Sequence, residues 1–135
     1  MIVTPYPDAN ALITLLNEWI KTILKDKFVG MYLFGSLAVG DFDPDSSDID
    51  FLIVTTEEIH RDVLVHLQTM HIEIYRAHSS RLAREIEASY IPKDALWEYD
   101  ITNRDHPHID RGGDQLQIEP HDMDWIVQRY SLREY

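Results

Sequence analysis

Apolar residues return at steps of three and four through Leu12, Leu15, Leu16, Trp19, Ile20, Ile23 and Leu24, which predicts one face of an amphipathic helix opening at Asp8, a suitable N-cap. After Lys25-Asp26-Lys27 the pattern changes. The run FVGMYLFG is rich in aromatic and branched residues and predicts a buried strand ending at Gly35. Leu37 to Ser47 carries glycine, proline, serine and aspartate, the mark of a short helical turn followed by a loop. A second buried strand, DIDFLIVT, covers Asp48 to Thr55. Thr56-Glu57-Glu58 then opens a helix with Ile59, Val63 and Leu67 on one face, its acids suited to the positive end of the dipole, and its end is expected near Met70.

Between His71 and Tyr90 two periods compete. IEIYRA alternates as a strand does, so a strand is placed at Ile72 to Tyr75. SSRLAREIEA begins like a helix, and EIEASYI alternates again, placing a strand at Glu85 to Ile91 before Pro92. From Pro92 to Asp124 nine acidic and three basic residues and the pair Gly112-Gly113 leave few periodic apolar positions, so the stretch reads largely as loop. MDWIVQRYSLREY regains a helical spacing through Trp125, Ile126, Tyr130 and Leu132. The expected fold is α/β (α+β), a small mixed β-sheet with helices packed mainly on one face, in a single domain over residues 1–135.

Composition narrows the class. At 135 residues, with 44% hydrophobic and 27% charged, the chain suits one folded core. The formal charge of −12 repels a phosphate backbone and argues against general nucleic-acid binding. No apolar run approaches the length of a membrane span, so no membrane role is expected. Cysteine is absent, which removes disulfides and thiolate metal sites, and MIVTPYPDAN lacks the basic and apolar regions of a signal peptide. A cytoplasmic location is the expectation.

The chemistry concentrates in FGSLAVGDFDPDSSDIDFLIV. One strand ends in Gly35-Ser36, and 11 residues later another begins with Asp48-Ile49-Asp50. Residues two apart on a strand share a face, so the carboxylates of Asp48 and Asp50 stand side by side and Ile49 faces the opposite layer. Paired anions at such spacing repel, and a hard divalent cation, Mg²⁺ where phosphates complete the shell, is the simplest compensation. Gly35 has no side chain to block a phosphate, and Ser36 offers a hydroxyl and a backbone N–H. A phosphate seat beside a metal-binding pair supplies the parts for metal-assisted phosphoryl chemistry.

This pattern resembles the signature of the nucleotidyltransferase superfamily, whose fold is that of DNA polymerase beta. More narrowly, it resembles the N-terminal domain of aminoglycoside (streptomycin/spectinomycin) adenylyltransferases, which move AMP from ATP to an antibiotic hydroxyl. EASYIPKDAL and DWIVQRYSLREY are also similar to that group. The resemblance implies a phosphate-binding pair at Gly35 and Ser36, metal-binding aspartates at Asp48 and Asp50, and a third carboxylate, catalytic base or further ligand, at Glu87, with Glu85 competing for the role. It also implies ATP as co-substrate, an aminoglycoside-like acceptor and a following helical domain, which this chain is expected to lack. Two other readings stand beside it. One is a stand-alone adenylyltransferase acting on a partner protein, as antitoxin-type members do, although Val39 stands where those carry arginine. The other is a nucleotide-binding remnant without turnover; a protein partner or a homo-oligomer is compatible with either.

Other residues are assigned blander roles. His106-Pro107-His108 offers two imidazoles without a third ligand in sequence, so no metal site is expected there. Asp41, Asp43 and Asp45 lack the glycine and glutamate of a calcium loop and are read as solvated. Trp97, Tyr99 and Trp125 are expected to fill core.

Overall fold

The computed structural model describes residues 5–36, 42–43, 45–97, 102, 105–121 and 133–134. Its elements run α1 (Pro7–Leu24), β1 (Phe28–Phe34), β2 (Ile49–Thr55), α2 (Arg61–Ala77), β3 (Ile86–Pro92), α3 (Lys93–Trp97), β4 (Asp105–Ile109), β5 (Gln117–Pro120) and β6 (Arg133–Glu134), with single 3₁₀ turns at Lys25–Lys27 and Arg81–Arg84. Among the described residues the strands form one mixed sheet in the order β5, β4, β3, β2, β1, β6. β2 and β3 pair in parallel and every other neighbouring pair is antiparallel.

Strand alternation divides the sheet into two unlike faces. Ile49, Phe51 and Ile53 of β2 and Ile86, Ala88 and Tyr90 of β3 join the main core with Leu12, Ile13, Leu16 and Ile20 of α1 and Leu67, Met70 and Ile74 of α2. Leu52, Val54 and Ile91 face the other way, into a small cluster closed by Leu96 of α3. The two long helices therefore cover one face, and among the described residues a five-residue helix covers part of the other. Burying a side chain such as Phe51 or Leu16 in the thick layer stabilises by about 1.5–3 kcal/mol each.

Several sequence expectations are corrected here. Helix α1 starts at Pro7 with Tyr6 as N-cap, so Asp8 lies in the first turn, where its charge meets the dipole, and caps nothing. Its buried stripe includes Ile13 and Asn17, while Leu15 is exposed. The strand expected at Ile72–Tyr75 is the last part of α2: Leu67, Met70, His71 and Ile74 are buried at helical spacing, which outweighs the local alternation of IEIY. The expected loop from Pro92 to Asp124 contains α3, β4 and β5. Asp105-His106-Pro107-His108-Ile109 conceals a strand because its inward residues on one side are histidines. The helical reading of the last thirteen residues falls mostly on 123–132 and 135, outside the described residues, while Arg133–Glu134 pair with β1 as an edge strand. The readings at Asp41 and Tyr99 and at Trp125 also lie outside them. Among the described residues no helix is long and apolar enough to cross a membrane.

His71 of α2 is fully buried and shares a hydrogen bond of 2.6 Å with the hydroxyl of Tyr90 on β3, pinning α2 to the sheet. Burial pushes the His71 imidazole down to about 4 from 6.5. Because the folded-state value is the lower one, stability is whole above pH 6.5 and is lost as the pH falls through 4. Denaturant titrations should show this acid-side decline, and His71→Gln should flatten it. Tyr90→Phe, which strands the imidazole nitrogen, should cost about 1–3 kcal/mol at neutral pH.

Candidate functional site

The face opposite α1 and α2 carries the polar residues. On β2 and β3 the positions that alternate away from the main core are Asp50, Leu52 and Val54, and Glu87, Ser89 and Ile91. Parallel pairing sets Asp50 against Glu87, and antiparallel pairing sets Phe34 of β1 against Asp50. The end of β1, with Gly35 and Ser36 directly beyond it, thus borders the start of β2. Asp48, Asp50 and Glu87 each present an oxygen within 4.8 Å of the others'.

These three carboxylates differ in exposure. Asp50 is buried, at 8% relative exposure, while the side chains of Asp48 and Glu87 remain 20% and 36% exposed, so the group opens to solvent at its rim. Burial first, then Asp48 and Glu87 beside it, push the Asp50 carboxyl up to about 8 from 3.8. Its Oδ1 is buried with no hydrogen-bond partner among the described residues, and so is Oγ of Ser36. Buried polar atoms without partners are uncommon. An acceptor and a hydroxyl in that condition, on adjoining strand ends, suit a cation and an anion respectively.

Gly35 has a further structural reason to be glycine. Its φ is +66°, in the left-handed region, and a Cβ built on it would overlap Oδ2 of Asp50. The Asp50 carboxylate therefore packs against bare backbone at the end of β1. Ser36 is the first helical residue after that turn.

Glu85, the alternative third carboxylate, is not brought to the trio. It sits before β3 at φ −124° and ψ 38°, off the extended path that would align it with Glu87. Its Oε2 accepts from Nε of Arg111 at 2.7 Å, and Nη1 of Arg81 lies 3.9 Å from Oε1. Arg111 also donates to the Ser46 carbonyl at 2.8 Å and comes within 4.0 Å of Asp48. The carboxylate of Glu85 beside it raises the guanidinium's already high affinity for its proton. Sequence reading missed Arg111. The signal was the glycine pair: Gly113 N–H closes a turn on the Asp110 carbonyl at 2.9 Å with Gly112 at φ +81°, and that turn aims Arg111 back at the loop before β2.

A second polar group adjoins the first across β4. His108 Nε2 lies 3.9 Å from Glu87 Oε1 and 3.1 Å from Asp110 Oδ1, acids that the sequence reading did not bring to the histidine pair. His106 Nδ1 stands 3.4 Å from Glu58, and the His106 and His108 rings both flank that of His121.

Two stability measurements follow from this geometry. Protonation of Asp50 favours the fold, so in EDTA its contribution is full below pH 3.8 and is lost as pH rises through 8. Asp50→Asn should remove that loss and raise the melting temperature at pH 8 by a few degrees, on the order of 3–6 °C. Gly35→Ala should do the reverse at any pH, costing at least about 1–2 kcal/mol through its left-handed backbone and displacing the Asp50 carboxylate. Parallel thermal melts of the three proteins check both.

The family model "Nucleotidyltransferase domain" matches residues 18–123, which includes Gly35, Ser36, Asp48, Asp50 and Glu87. No curated protein matches. Among solved structures, spectinomycin adenyltransferase AAD(9) from Enterococcus faecialis, determined with ATP and spectinomycin, superposes with a TM-score of 0.61 at 20% identity. The match covers 92% of this chain and 54% of that one, so the present chain spans about half the length of that relative. At that identity the likeness speaks for the fold; the family model, covering most of the chain, establishes that this protein belongs to the nucleotidyltransferase domain family.

Proposed function

We propose that the chain is the nucleotide- and metal-binding half of a Mg²⁺-dependent adenylyltransferase, which transfers AMP from ATP to a hydroxyl of an aminoglycoside-like acceptor. The observation that carries this reading is the pair of buried atoms, Asp50 Oδ1 and Ser36 Oγ, that lack hydrogen-bond partners among the described residues, at adjoining strand ends beside two further carboxylates. The relative with ATP and spectinomycin bound supports the choice of nucleotide and acceptor. A cytoplasmic setting, where ATP and Mg²⁺ are abundant, suits it.

Asp48 and Asp50 are the proposed metal ligands, and the buried Oδ1 of Asp50, beside the partly exposed carboxylate of Asp48, fits a hard cation. A Mg²⁺ ion held there supplies charge neutralisation between the phosphates and the carboxylates. Ser36 offers its hydroxyl to a phosphate oxygen, and Gly35 leaves the backbone open for close approach. Glu87, more exposed than Asp50 and opposite it in register, is the proposed base: it takes the acceptor hydroxyl's proton as the oxygen bonds to the α-phosphorus. The α–β phosphoanhydride bond breaks, and pyrophosphate departs with its electron pair.

Calorimetry with MgATP, and transfer of label from ATP radiolabelled at the α-phosphate onto spectinomycin or streptomycin, test the proposal. Asp50→Asn should weaken MgATP binding at least about a hundredfold, since even outer-shell changes at metal sites cost about 10- to 100-fold. Glu87→Gln should keep nucleotide binding and slow transfer about 100- to 10,000-fold. Equal MgATP affinity in wild type and Asp50→Asn overturns the site; label appearing only on an added protein overturns the acceptor assignment.

A further inference from the structure

We propose a second cation site, distinct in donor chemistry from the carboxylate trio, in which His108, Asp110 and Glu87 bind a transition-metal ion of the Zn²⁺ class. Nε2 of His108 and one oxygen from each acid all lie within 4.8 Å of one another. The His108 nitrogen is 3.1 Å from Asp110 and 3.9 Å from Glu87. Ligands bonded at about 2.0–2.2 Å around one ion stand roughly 3–3.5 Å apart, so only small adjustments would close the shell. Two of the ligands are on paired strands, Glu87 on β3 and His108 on β4, where Ser89 faces His108 and Ala88 faces Ile109, and Asp110 follows directly after β4.

The imidazole is oriented from behind. The Glu119 carbonyl can only accept, so His121 Nδ1 donates to it at 2.9 Å. Nε2 of neutral His121 then accepts the single hydroxyl proton of Ser89 at 3.0 Å. Ser89 Oγ in turn accepts from His108 Nδ1 at 2.6 Å, which leaves the lone pair of neutral His108 on Nε2, toward Glu87 and Asp110. A ligating histidine held through its other nitrogen is the usual outer-shell arrangement of metal centres. Ser89 is fully buried and His108 only 13% exposed, so the ring is held in place. One nitrogen and two carboxylates favour Zn²⁺, Co²⁺ or Mn²⁺ over Mg²⁺, whose preference is for oxygen alone. This site does not depend on the adenylyltransferase reading; the two share Glu87 only.

Calorimetry with ZnCl₂ on the whole chain, and the visible absorption of added Co²⁺, test it without turnover. One equivalent should bind to wild type, with a Co²⁺ spectrum showing a nitrogen ligand. Asp110→Asn, at an exposed turn where folding is not at stake, and His108→Gln should each weaken binding more than tenfold, and Ser89→Ala about tenfold. Asp48→Asn and the exposed-site control His66→Gln should leave it unchanged. The site is overturned if His108→Gln and Asp110→Asn bind Zn²⁺ like wild type, if Asp48→Asn loses it equally, which would put the ion in the carboxylate trio, or if His66→Gln loses it.

Discussion

The parallel pairing of β2 with β3 is the constraint on which the site depends. It sets Asp50 directly against Glu87, and Asp48 one residue before the strand completes a trio of acids within 4.8 Å. Like charges so close, one of them buried, are unfavourable, and burial first, then Asp48 and Glu87, displace the Asp50 carboxyl upward. The remedies are visible around it: a bare glycine backbone against Asp50, and an arginine swung in from the turn after β4 toward Asp48 and Glu85. A cation taken up at the trio would relieve that repulsion, and its binding would then be linked to the stability of the fold.

The asymmetry of the layers makes such tension tolerable. Alternate residues of β2 and β3 are committed to a thick core under α1 and α2, and that packing fixes the register. A one-residue slip would expose Phe51 and Ile53 and bury Asp50 among leucines and isoleucines. The opposite face is therefore free to hold carboxylates, serine and histidine at positions that hydrophobic burial has already determined.

Legibility in the sequence followed the same division. β1, β2, β3 and α1 were readable because their apolar residues are strong and periodic, and Asp48, Asp50 and Glu87 followed from alternation together with a family resemblance. What escaped reading was set by long-range pairing. Ile72–Tyr75 alternates locally, yet its helical fate is decided by His71 and Ile74 meeting the core. β4 hides because its turned-in residues on the site face are His106 and His108, whose burial is made acceptable by partners 13 to 48 positions away in sequence: His121, Ser89 and Glu58. Arg111 belongs to the same class, since its partners Ser46, Asp48 and Glu85 are all distant in sequence. Glu85 and Glu87 could not be separated by alternation alone; the 3₁₀ turn before β3 takes Glu85 off the strand path.

Glu87 stands where two environments meet. Toward β2 it faces oxygen donors only, the surroundings a hard cation and phosphates favour; toward β4 it faces an imidazole whose tautomer is held by Ser89, His121 and the Glu119 carbonyl. One carboxylate cannot give the same oxygen fully to both. Occupancy on the β4 side would draw negative charge away from Asp50, easing its repulsion and lowering its carboxyl's hold on a proton, while occupancy on the β2 side would weaken the pull on His108. The two sides are thus coupled through a single side chain, and the strength of that coupling is set by how far Glu87, the most exposed of the three acids, can turn between them.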